Sequence, residues 1–91
     1  MKRKLMNFLA CPICKHYPLN LFIFSEKDEI IEGLIICDEC KRWYPIIEEI
    51  PYMLPDKLRN GKDDIPFIKK WKKKFPKDIL KKGKPFNETQ L

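Results

Sequence analysis

Two cysteine pairs, Cys11-Pro12-Ile13-Cys14 and Cys37-Asp38-Glu39-Cys40, stand 22 residues apart in this chain. Thiolates are good metal ligands, and two residues between partners let one tight turn aim both sulfurs at a single ion about 2.3 Å away. Two such turns complete a tetrahedron, a pattern close to that of a structural zinc site. Four cysteine ligands leave no open position for water or substrate, so the Zn2+ expected here is structural. A rubredoxin-type iron site and redox-active or disulfide cysteines are the competing readings. A redox Cys-x-x-Cys normally stands alone beside a βαβ pattern, whereas here a second pair matches the first. His16 adjoins a complete set of four and reads as a solvent-facing histidine. Four thiolates around a divalent ion leave a net negative charge, which the neighbouring Lys15, Lys41 and Arg42 can offset.

The redox compartment bears on this choice. The basic start Lys2-Arg3-Lys4, followed by Leu5 to Ala10 and then Cys11, superficially resembles a lipoprotein signal. Its apolar stretch runs for about six residues and is broken by Asn7, against the roughly 7 to 15 expected of such a signal. The expected location is therefore cytoplasmic, where thiols stay reduced and disulfides are disfavoured.

Around the cysteines the chain divides in two. It has 91 residues, 44% hydrophobic and 35% charged, with a formal net charge of +6. Residues 1–55 hold 7 basic and 8 acidic side chains, while residues 56–91 hold 12 basic and 5 acidic ones. All four cysteines and 26 large or small apolar side chains lie in the first part, so the core is expected there and the charge in the tail. Such a composition is too apolar for a wholly disordered chain, and no apolar run reaches the roughly 18 residues of a membrane span. A domain this small usually needs a disulfide or metal staple.

Within the first part, apolar residues at positions 5, 6, 8 and 9 predict a short helix leading into the first cysteine turn. Leu19–Phe24, Ile30–Cys37 and Trp43–Ile47 predict three β-strands, with the second cysteine pair as the turn between two of them. The fold class expected is α+β: a zinc-ribbon-like small antiparallel sheet with an N-terminal helix, and a basic helical C-terminal extension over 56–91. Tyr44 to Leu54 is rich in large apolar residues, but Pro45 and Pro51 remove ladder donors, so this segment should lie at a sheet edge or leave the sheet. An edge can accept a partner's strand. Some of its apolar surface is expected to stay exposed, as interaction patches do.

Catalysis is not expected. The chain has one histidine and three glycines, and it offers no Ser, His and Asp set, paired-carboxylate pocket or glycine-rich phosphate loop.

Taken together, Lys4-Leu5 to Leu9 with Cys11-Pro12-x-Cys14, Glu32-Gly33-Leu34 before Cys37-x-x-Cys40, and Tyr44-Pro45-Ile46 with Ile50-Pro51-x-Met53-Leu54 carry a resemblance over residues 1–55. The chain resembles the small zinc-binding activator subunit shared by several S-adenosylmethionine-dependent methyltransferases that modify tRNA, rRNA and translation release factors. It is most similar to the compact archaeal and bacterial-type members. The resemblance implies a subunit without catalytic groups, which forms a heterodimer by adding its strand to the edge of a methyltransferase sheet and covering an apolar surface there. The positions implied for that contact are Phe8, Leu9, Ile46, Ile50, Pro51, Tyr52, Met53 and Leu54. The chain departs from the family in two places: Glu49 stands where a glycine usually precedes the Ile-Pro pair, and the basic tail has no counterpart in the shortest members.

In the tail, Asp63 or Asp64 can cap a helix whose first turn holds Pro66, with Phe67, Ile68, Trp71 and Phe75 on one stripe. Pro76 ends or restarts it, and a second turn through Asp78, Ile79 and Leu80 should finish at Gly83. Lysines surround the stripe, and three readings compete for them. In the first, the helix packs on the head or a partner and leaves a solvated lysine face. Alternatively Lys69, Lys70, Lys72, Lys73, Lys74 and Lys77 attract RNA phosphates while Trp71 stacks on a base. A membrane surface suits the pattern least, and no membrane partner is expected. The alternative function from another class is an independent nucleic-acid-binding zinc ribbon with a lysine-rich tail.

Overall fold

The computed structural model describes residues 1–90, so the last residue of the 56–91 extension lies outside it. Four antiparallel strands form one sheet in chain order: β1 (Asn20–Glu26), β2 (Ile30–Ile36), β3 (Trp43–Ile47) and β4 (Ile50–Pro51). The first three are the expected β segments, each rich in β-branched and aromatic residues. The N-terminal helix is a 3-10 helix, Arg3–Phe8, rather than an α-helix. Helix α1 spans Gly61–Trp71 and α2 spans Lys77–Lys82.

Alternation along the strands sends side chains to two buried faces. On one face Ile35, Tyr44 and Ile46 pack with Cys11, Cys37, Leu19 and Met1, and Leu5, Met6 and Leu9 from the N-terminal turn cover them. On the other, Phe24, Leu34, Ile36 and Trp43 pack with Phe67, Ile68, Phe75 and Ile79 from α1, α2 and the turn between them. This corrects the expectation that the core belongs to the first 55 residues. Trp43 and Phe24 are too large to leave in water, and the tail supplies their cover. Trp43 lies nearly parallel to Phe67 at 5.9 Å and meets Phe75 edge-on at 5.5 Å, while its indole N–H donates to the Phe86 carbonyl at 2.8 Å. Aromatic pairs in these geometries add to the area term.

Two further expectations change in the tail. The cap of α1 is Asn60, whose side chain accepts from the Lys62 N–H at 2.9 Å, and not Asp63 or Asp64. Asp64 is drawn inward instead by Arg59, 2.7 Å away. Helix α2 does end at Gly83, but with φ −62°, so no left-handed cap is involved. A Cβ at Gly83 would lie 2.4 Å from the Ile79 carbonyl oxygen and 2.9 Å from the Trp43 ring. Glycine is needed there for close approach to the sheet.

The β3–β4 connection is the two-residue loop Glu48-Glu49, both residues having positive φ, 49° and 71°. Right-handed strand twist favours such a turn, but the left-handed region costs a non-glycine residue roughly 1–2 kcal/mol. The Glu49 N–H is held by the Ile31 carbonyl at 2.9 Å, which fixes the hairpin against β2. Glu49→Gly should therefore stabilise the fold by about 0.5–1 kcal/mol after glycine's unfolded-state entropy is subtracted, raising Tm by about 2–6 °C. A thermal melt in which Tm is unchanged or lower would show that the turn is not strained.

Candidate metal centre

The two cysteine turns are built alike. Lys15 N–H donates to the Cys11 carbonyl and Lys41 N–H to the Cys37 carbonyl, both at 2.9 Å. Each turn then closes with the first cysteine's N–H on a carbonyl five residues on, Cys11 to His16 at 3.0 Å and Cys37 to Arg42 at 2.9 Å. Lys15 and Lys41 sit in the left-handed region, φ 66° and 63°, which reverses the chain immediately after the second sulfur of each pair. One turn leads from the N-terminal helix toward β1 and the other joins β2 to β3, so the sheet sets their separation.

All four sulfurs lie within 4.8 Å of one another, with Cys11–Cys40 at 3.6 Å and Cys14–Cys37 at 3.4 Å. A tetrahedron of ligands at about 2.3 Å has edges of about 3.8 Å, so Cys11, Cys14, Cys37 and Cys40 fit a single ion. His16 is not part of the cluster, and it is half-buried rather than solvent-facing. Cys11 and Cys37 are buried, Cys40 is half-buried and Cys14 is exposed, so the centre sits at the rim of the first core.

The surroundings ionise the sulfurs unequally. Burial pushes the Cys11 thiol up, but N–H groups of Cys14 and Ile13 and the Tyr44 hydroxyl outweigh it and bring it down to about 6. Burial dominates at Cys37 and pushes it up to about 12. Tyr44, 3.2 Å from the Cys11 sulfur, is itself held protonated, first by burial and then by that sulfur, so its hydroxyl is available to donate to the thiolate. Arg42 clasps Asp56 through two hydrogen bonds of 2.9 and 2.8 Å; that carboxylate raises its pKa first, and the Cys40 sulfur adds to the effect. It is placed to balance the negative charge of the ligands, as its sequence position suggested. Tyr44 and Asp56 carried no signal of this role in the sequence, because both reach the centre only through the fold.

The positions implied for partner contact divide. Phe8 (80%), Ile50 (53%), Tyr52 (37%) and Leu54 (37%) are exposed, and Pro51 is half-buried among them. Leu9 and Met53 are half-buried and pack on the first core. Ile46 is corrected: it is fully buried, because β3 runs inside the sheet and directs this side chain into the first core. In the lysine stretch, Lys69, Lys70, Lys72, Lys73, Lys74 and Lys77 are all exposed. Lys70 is paired with Glu32 at 2.9 Å, Lys74 reaches the Phe24 carbonyl at 3.2 Å, and Trp71 rests on Phe24 with ring centroids 5.0 Å apart. The expected base-stacking ring thus has one face already committed to the protein.

The tail is fastened to the second cysteine turn: Lys84 N–H donates to the Lys41 carbonyl at 3.0 Å, and Trp43 N–H to the Lys84 carbonyl at 3.2 Å. Metal removal should therefore loosen the tail as well as the sheet. Chelation is expected to lower Tm by about 20 °C or more and to open the Lys69–Lys84 stretch to trypsin. An unchanged melt and digestion pattern after verified metal removal would contradict a structural metal.

The model of the Trm112p-like protein family matches residues 2–49. A UPF0434 protein of Nitrosococcus oceani is 37% identical over 59 residues, which span 65% of this chain and 86% of the relative. A UPF0434 protein of Coxiella burnetii is 41% identical over 59 residues, 65% of this chain and 91% of the relative. Among solved structures, a chain from the complex of the Haloferax volcanii Trm112 methyltransferase activator with a candidate methyltransferase superposes with a TM-score of 0.58 and 38% identity, covering 64% of this chain and all of that one. Matched over more than half its length, this chain belongs to the Trm112p-like family.

Proposed function

We propose that the chain is a non-catalytic, zinc-binding activator subunit of S-adenosylmethionine-dependent methyltransferases that act on tRNA, rRNA or a release factor. The observation that carries this reading is the row of apolar side chains along the outer hairpin. Ile50, Tyr52 and Leu54 face outward at every second position, Phe8 stands exposed nearby, and Met53 between them turns inward. Strand β4 is an outer strand of the sheet, so the row runs along an edge. A neighbouring hollow of about 320 Å3 beside Phe8, Leu5 and Pro51 continues the apolar surface. The Haloferax activator solved with its candidate methyltransferase supports the same use of this fold.

The mechanism follows from mass action. Binding to the folded enzyme and not to its unfolded form stabilises it by about 2.7 kcal/mol when the free subunit stands at 100 times its Kd. Covering the enzyme's apolar surface raises its active fraction without adding a reacting group. Zinc fits the four-cysteine set and would hold the two turns, and through them the sheet edge, in a fixed shape. The exposed lysines of α1, α2 and the turn between them would then draw RNA toward the paired enzyme.

Phe8→Asp combined with Ile50→Asp places two charges on the exposed row while leaving both cores intact. The variant should lose co-purification of a methyltransferase yet retain one zinc per chain by metal analysis. A variant that still co-purifies would remove the docking model. For the lysine face, reversing Lys72, Lys73 and Lys77 to Glu should weaken RNA binding by the enzyme complex and flatten its salt dependence. Equal affinity and slope for variant and wild type would leave these lysines as a solvated surface only.

A further inference from the structure

The lysine stretch carries more charge than the fold uses. Residues 69–82 hold eight lysines against one acidic residue, Asp78. All eight are exposed, while the apolar residues among them turn inward: Phe75 and Ile79 are buried, and Trp71 and Leu80 pack against that core. Two of the lysines are engaged, Lys70 with Glu32 at 2.9 Å and Lys74 with the Phe24 carbonyl at 3.2 Å. The other six are paired with no carboxylate among the described residues. Like charges this close repel one another, and a polyanion lying across them both relieves the repulsion and releases its own counterions.

The make-up of this face narrows the polyanion. No arginine follows Arg59 in the chain, so every basic group here is a lysine. Lysine meets a phosphate as a point charge, whereas two-pronged reading of a carboxylate or a base edge calls for arginine. Protein interfaces are depleted in lysine and centre on aromatic or arginine anchors. None of the large exposed apolar side chains comes from residues 61–90, so an acidic protein finds no anchor on this face. A membrane finds no apolar face to take up, because the stripe of the two helices is spent on the sheet. Single-stranded nucleic acid binds by stacking its bases on aromatic rings. Trp71 lies against Phe24 with ring centroids 5.0 Å apart, and the ammonium groups of Lys70 and Lys74 stand 5.2 and 5.5 Å from its centre. With that ring occupied, the face suits phosphates on the outside of a base-paired stem, where the bases already stack on one another.

Position adds a second constraint. Strand β1, whose Phe24 carbonyl Lys74 reaches, is the strand furthest from β4 in the sheet. Neighbouring strands lie about 4.8 Å apart, so the lysines at the end of α1 stand roughly 15 Å from the outer hairpin. An enzyme docked on that hairpin keeps its reaction centre beyond this distance. Only a substrate that extends well past its reacting group reaches these lysines.

We propose that the Lys69–Lys82 face seats the phosphate backbone of a base-paired RNA stem without reading its sequence, and that this stem belongs to a part of the methyltransferase substrate away from the modified nucleotide. The proposal rests on the activator reading above and deepens it: of the substrates named there, it selects a structured RNA over a release factor. These lysines lie beyond residues 2–49, which the family model matches, so the seat is an addition made by the tail.

Binding of fluorescent RNA to the full chain, alone and with its co-purified methyltransferase, tests the seat across a salt series, with an RNA duplex of about 20 base pairs and an oligo-uridine of equal length as probes. The duplex should bind at least about 5-fold tighter than the single strand. Lys72→Gln, Lys73→Gln and Lys77→Gln together should weaken duplex binding about tenfold or more at low salt and lower the slope of log K against log salt by about 2 to 3, with zinc content and Tm unchanged. A photoreactive group at residue 73 of the complex should crosslink cellular RNA at paired nucleotides. Oligo-uridine bound as tightly as the duplex, a triple variant with wild-type affinity and slope, or tighter binding to phosphatidylserine vesicles would overturn the seat, and crosslinks at the methylated nucleotide itself would overturn its placement. If the seat falls while a methyltransferase still co-purifies, the activator reading stands. A chain that binds the duplex but no methyltransferase overturns the activator reading, and with it the assignment of the stem to a methylated substrate.

Discussion

Four cysteine sulfurs lie within 4.8 Å of one another, where ionising all of them repels strongly unless a cation sits among them, and the rest of the molecule is arranged around that constraint. One cysteine turn receives the N-terminal helix, and the other joins β2 to β3. The backbone of the second turn also holds Lys84, so the far end of the tail is anchored there. A chain with so small a sheet has little apolar area to set against its conformational entropy. The cysteine centre compensates by tying together segments that are distant in sequence.

The sheet then serves two cores with one set of strands. Tyr44 turns toward the cysteine cluster and Trp43 toward the tail, so adjacent residues of β3 connect the cysteine turns to the helical cover. With both faces largely filled, the large apolar groups left exposed include Phe8 and, on the outer hairpin, Ile50, Tyr52 and Leu54. The lysines of the tail remain on the outside of α1, α2 and the turn between them.

Much of this was legible in the sequence where the signal was local. Cysteine spacing indicated the metal site, alternation indicated three strands, and the prolines at 45 and 51 explain why β4 is only two residues long before the chain leaves the sheet. Long-range choices were not legible. The Phe67, Ile68, Phe75 and Ile79 stripe is equally suited to a partner or to the chain's own sheet, and only the need to cover the Trp43 and Phe24 face decides between them. Asp64 is a good cap by type, yet a buried Arg59 claims it and leaves the role to Asn60. The resemblance implies partner contact for Ile46, but it points inward, because β3 lies between β2 and β4 and both of its faces are covered.

The central claim is that the chain works as one half of a metal-stabilised pair with a methyltransferase. Native mass spectrometry of the chain purified from its own cells tests it most directly. The account predicts one species whose mass is the sum of this chain, one zinc ion and one methyltransferase. A zinc-loaded chain carrying nucleic acid and no protein partner would contradict it.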